Sequence, residues 1–165
     1  MTDDHDIHTP RYSRPELLAA SGIRETSLRN WLDREEWPLY AHQKVGRGKS
    51  RLYTKGEVLG CAIVARLDRL AVDRDFSNTF AVYAVKLAAA LAMPCYRNLV
   101  LETSDPWDLV NEMANGTNPE HWLHGRLVTG DLQETDGTIG TLRIPLGAIV
   151  LEVNRKLPSA GDTGK

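Results

Sequence analysis

Along the 165-residue chain, apolar positions recur at helical spacing in separate stretches, each bounded by capping or turn residues. Ser13 followed by Glu16 three positions later is a capping box, and Pro15 suits a first helical turn. Leu17 and Leu18 give that first helix an apolar side, and Gly22 suits the left-handed residue that ends it. A second helix is predicted over 25–35. There Leu28, Trp31 and Leu32 fall at i, i+3 and i+4 on one inward face, leaving Thr26, Ser27, Arg29 and Asn30 on the outer side. Two short helices joined by a tight turn that contains glycine form a helix-turn-helix.

After Pro38 the period changes. Residues 39–45 and 50–54 are predicted to pair as a hairpin whose glycine-rich tip is 46–49. A third helix starts near Lys55, with Val58, Cys61, Ala62, Ala65 and Leu70 on its buried face. A break at "VDRDFS" leads into a long apolar helix over 76–93. Beyond it, 97–102 reads as a strand. A helix follows, with Asp105 as N-cap, Pro106 at its first position and Gly116 after its end. The stretches 122–130 and 137–144 read as two strands joined around Asp136 and Gly137. Pro145 opens a last helix, with Leu146, Ile149, Val150, Val153 and Leu157 on one stripe that serves either the core or a dimer interface. The expected architecture is α+β: a winged helix-turn-helix over 11–70, then a helix-rich domain over 71–158 with a small antiparallel sheet. Disordered tails are expected at 1–10 and 159–165.

Composition narrows the class. With 42% hydrophobic and 25% charged residues the chain has the apolar mass of a folded domain. Residues 76–93 are interrupted by Ser77, Asn78, Thr79 and Lys86, so they read as a buried helix and not a membrane span. The start "MTDDHDIHTP" is acidic and polar, unlike a signal peptide, which implies a cytoplasmic protein. Cys61 and Cys95 stand alone in apolar stretches and read as buried thiols. His121 and His124 lie three apart but have no nearby cysteine, and no metal site is assigned. No phosphate loop, nucleophile elbow or convincing acid pair is present, so no catalytic residue, cofactor or enzymatic activity is expected.

Charge is distributed unevenly beneath the net value of −2. Residues 11–56 hold ten Lys and Arg against five Asp and Glu, whereas 57–165 hold ten against fourteen. A basic module is joined to an acidic remainder. The second helix has the side chains that read base edges in a major groove. Arg grips guanine, Asn pairs with adenine, and Ser or Thr serves either a base or a phosphate. The candidates are Arg24, Glu25, Thr26, Ser27, Arg29 and Asn30. Glu25 can accept from cytosine or simply favour the positive helix end. Arg47, Lys49 and Arg51 at and after the hairpin tip suit the phosphate backbone, as does the hydroxyl of Tyr53.

"YSRPELLAASGIRETSLRNWLDRE" and "GRGKSRLYTKGEV" together resemble the winged-helix DNA-binding domain of MerR-type transcription regulators. The matching positions are Tyr12, Glu16, Leu17, Gly22, Leu28, Arg29, Arg51, Leu52 and Tyr53. The resemblance covers about 12–70 and implies a recognition helix that includes Arg29 and a wing that places Arg51 and Tyr53 on phosphates. Where that family has Ser before its second helix this chain has Arg24, and its "YYE" is here Asn30-Trp31-Leu32. Phage excisionases and small terminase subunits have related winged helices. The expected function is therefore a sequence-specific bacterial or phage DNA-binding transcription regulator. Double-stranded DNA is its partner, it acts as a homodimer, and 71–158 mediates self-association or contact with another protein. The alternatives are a phage recombination or packaging factor, or a protein-interaction adaptor whose winged helix does not touch DNA.

Overall fold

The computed structural model describes residues 7–33, 50–91, 101–103, 106–115 and 142–158. The Ser13 hydroxyl donates to the Glu16 carboxylate at 2.7 Å and the Ser13 N–H donates to it at 2.6 Å. These bonds hold the Glu16 carboxyl below its usual range. Helix α1, Arg14–Ser21, begins there. Gly22 ends it at a φ of 68°, donating its N–H to the Leu18 carbonyl at 3.0 Å. Only a residue without a Cβ takes that conformation without strain. Helix α2, Glu25–Asp33, follows at once, with Leu28 and Trp31 fully buried beneath it.

Helix α3, Lys55–Arg69, opens on a second capping box. The Thr54 hydroxyl accepts the Glu57 N–H at 3.0 Å, and the Glu57 carboxylate accepts the Thr54 N–H at 2.7 Å. Every residue from 56 to 64 is buried. A helix covered all round lies at the centre of its fold, and α3 packs against α1, α4 and the last helix. Helix α4, Arg74–Leu91, starts where the Asp73 carboxylate accepts the Phe76 N–H at 3.0 Å. It also packs against α5, Pro106–Asn115, where the Trp107 ring meets Phe76 edge to face at 5.9 Å. Helix α6, Leu146–Lys156, buries Leu146, Ile149, Val150 and Val153 against α1, α3 and α4. Its apolar stripe is thus core within the chain.

The α+β expectation is corrected: the described residues are mostly helical. Apart from one isolated bridge, the strand pairing among them is a three-residue ladder. In it β1, Leu101–Thr103, runs antiparallel to β2, Leu142–Ile144. A ladder that short forms no layer for helices to pack on, and the helices bury their apolar faces on one another instead. The pairing also differs from expectation: the stretch 137–144, which contains β2, is expected to pair with 122–130, whereas β2 pairs with β1; 122–130 lies outside the described residues. So do the hairpin arm 39–45, its tip 46–49, His121, His124, Cys95 and the tail 159–165.

Two local expectations change as well. The start of the chain is not wholly a loose tail, because Ile7 is buried and its carbonyl accepts the Gly56 N–H at 3.0 Å. Leu70 is 51% exposed and not part of the buried face. The helix ends one residue earlier, and Leu67 takes the inward position. The expected domain boundary falls in the α3–α4 turn, yet the buried residues on its two sides form one cluster running from Ile7 to Leu157.

Gly56 is where three segments meet. A Cβ there would stand 3.1 Å from the Ile7 carbonyl oxygen and 3.1 Å from Val85 Cγ1. We predict that Gly56→Ala destabilises the protein by about 1–3 kcal/mol through overpacking, despite the better helix propensity of alanine. Urea unfolding checks this, and an unchanged or raised midpoint would contradict the close packing.

Candidate nucleic-acid interface

Helix α2 sorts its side chains by the helical period. Leu28 and Trp31 point into the core, while Thr26, Arg29 and Asn30 are exposed on the other side. Arg24 and Glu25 are exposed at its start, and Ser27 is half-buried at its flank. The Arg24 carbonyl accepts the first helical bond, from the Leu28 N–H at 3.1 Å. Arg24 therefore occupies the capping position, but a guanidinium has no acceptor and leaves the first N–H groups of α2 without a side-chain cap. Glu25 faces Arg14 of α1, with 3.3 Å between Oε1 and Nη2. Both side chains are well exposed, so this pair adds little stability, but it draws Glu25 toward α1.

Of the expected loop contacts, Arg47 and Lys49 lie outside the described residues. Its returning arm is tied down firmly. Tyr53 and Tyr12 form an antiparallel bridge, with the Tyr53 N–H donating to the Tyr12 carbonyl at 2.7 Å and the Tyr12 N–H donating back at 3.0 Å. The segment before α1 thereby fixes the segment before α3.

Two of the expected phosphate contacts, Tyr53 and Arg51, turn toward the protein interior. Tyr53 is 2% exposed, with its ring in the core. Burial pushes its phenol up, while the charges of Arg51 and Arg14 act to lower it. Arg51 turns inward too: Nη2 donates to Glu57 Oε1 at 2.8 Å and the guanidinium carbon lies 5.1 Å from the Tyr53 ring centre. Glu57 is itself 4% exposed. A buried carboxylate is costly unless it is paired and hydrogen-bonded, and Arg51 supplies that charge. The signal was present in the sequence as the one acid in a basic run.

The sequence reading missed Arg69 and Arg74. The fold brings both beside Arg24 around one groove. They are some fifty residues away along the chain, so no local pattern joins them to α2. The chain matches no family model, no curated protein and no solved structure. Among the described residues no helix is long and apolar enough to cross a membrane.

If Arg51 serves the fold, Arg51→Ala should lower stability by about 1.5–3 kcal/mol, the range for a hydrogen bond to a charged group. Glu57→Gln should lower it too, and the two losses should be less than additive in a double-mutant cycle. Denaturant titration of the four proteins checks this, and full additivity would show that the two groups do not act on each other.

Proposed function

We propose that the chain is a sequence-specific DNA-binding protein that regulates transcription and acts in the cytoplasm, on the nucleoid. The observation that carries the reading is the outer side of α2, where Thr26, Arg29 and Asn30 are exposed opposite Leu28 and Trp31. These side chains can meet base edges when the helix lies in a major groove. The preceding helix and the turn at 22–24 hold α2 at the protein surface, with Arg24 at the end that enters first. The cations of 46–49 serve the adjoining backbone.

A pair of such heads fits the energetics. Specific sites must be bound about 4–10 kcal/mol more tightly than non-specific DNA, and one short helix makes few base contacts. Two copies on a symmetric site double them, and two-fold dimers dominate among soluble oligomers. The stripe of α6 is spent inside the chain, so a dimer would use another surface of 71–158.

The test is anisotropy of labelled duplexes, first random and then selected from a pool. Arg29→Ala is expected to lose about 1–3 kcal/mol on the selected site and to relax one base position. Lys49→Ala is expected to weaken all duplexes alike and to flatten the salt slope by about one unit. A protein that binds no duplex at low salt would instead be an adaptor for other proteins.

A further inference from the structure

Arg24, Arg69 and Arg74 reach one open groove of ≈ 520 Å³ from three different elements. Arg24 stands at the start of α2, Arg69 in the last turn of α3 and Arg74 at the first position of α4. Ser27 lines the same groove, and Asp68 is the one carboxylate among its lining residues. All three arginines are exposed, and among the described residues no ion pair engages them. Arg69 Nη2 lies beside Gly22, 3.4 Å from where a Cβ would stand.

Helix stability accounts for only one of the three. Arg69 lies at a C-terminus, where the macrodipole favours a cation. Arg24 and Arg74 lie at N-termini, where it disfavours one. Asp73 caps α4, and so supplies the anion that this helix end calls for. The nearest acid at the start of α2, Glu25, is turned to Arg14. The groove beside α2 is left with three guanidiniums against one carboxylate, the half-buried Ser27 hydroxyl and the uncapped first turn of the helix.

We propose that this groove is a phosphate-binding site. Guanidinium forks bond phosphate oxygens in pairs, Ser27 can donate a further bond, and the first N–H groups of α2 add theirs. Resting on the DNA-binding reading above, the phosphate is one of the duplex backbone, flanking the bases that α2 meets. The interface thereby extends onto the α3–α4 turn. A free phosphate or pyrophosphate is the other source of the same chemistry. Asp68 opposes the anion, so its removal should strengthen binding.

The experiment uses the full chain, Arg69→Gln/Arg74→Gln and Asp68→Asn. Two probes are used: a labelled random duplex over a range of salt, and sodium pyrophosphate followed by the melting temperature. These exposed substitutions should leave the ligand-free melting temperature close to that of the parent protein. The double variant is expected to lose about tenfold or more in duplex affinity and to flatten the salt slope by about 0.9 unit, the value for one phosphate, while Asp68→Asn binds more tightly. Should the parent protein bind no duplex but be stabilised by pyrophosphate, with the effect lost in the double variant, the groove is a free-phosphate site and the DNA reading fails. If parent and double variant bind the duplex equally, the pyrophosphate arm decides. Stabilisation lost in the double variant assigns the groove to free phosphate, and no stabilisation, or stabilisation that the double variant keeps, overturns the groove and leaves the DNA reading standing. A parent protein that binds neither probe overturns both.

Discussion

A single buried carboxylate ties the start of this fold together. Glu57 accepts the Thr54 N–H and the Arg51 guanidinium at once, while its own N–H is bonded to the Thr54 hydroxyl. Left unpaired, a charge at 4% exposure would cost several kcal/mol. Paired, it starts α3, holds the arm that returns from the loop and packs Arg51 on the Tyr53 ring. The Tyr53 bridge then reaches Tyr12, one residue before the cap of α1. Residues 51–54, the first helix and the central helix are thus positioned by one chain of contacts.

The packing around α3 carries that positioning further. Because α3 is buried along most of its length, elements from both sides of the α3–α4 turn pack on it. Helix α4 covers one side, α1 another, and α6 closes over α1 and α3 together. Even the segment before α1 takes part, since Ile7 approaches a glycine with no Cβ to obstruct it. Residues from both halves of the sequence therefore belong to the core on which the helix proposed to meet DNA rests.

What could be read from the sequence was what is encoded locally. The capping box at Ser13 and Glu16, the glycine that ends α1, the inward face of α2 and the buried Val58, Cys61 and Ala62 follow from spacing alone, as does the apolar stripe of α6, though not whether it serves the core or a dimer. Tertiary competition decided the rest. Tyr53 has a hydroxyl suited to phosphate, but its ring gains more from the core. Arg51 reads as a surface cation until the buried charge of Glu57 is placed beside it. Leu70 fits the apolar stripe of α3, but the helix ends before it, and Val72 donates its N–H back to Leu67. The β pairing failed for a related reason, since turn residues at Asp136 and Gly137 favour a neighbour in sequence and the observed partner of β2 is about forty residues away.

Charge shows the same limit in its clearest form. Read linearly, the chain divides into a basic module and an acidic remainder, which would place all the anion-binding power in the first part. Folding redistributes it. Arg51 is drawn inward by Glu57 and Arg14 is shared with Glu25, so the basic module presents fewer open cations than it contains. Arg69 and Arg74, counted with the acidic remainder, come to stand beside Arg24 instead. A cation's contribution to a face depends on the partners that burial forces on it, and here that selection moves positive charge across the apparent boundary. The surface proposed to meet a polyanion thus belongs to neither half of the sequence, since it lies where the α1–α2 turn meets the α3–α4 turn.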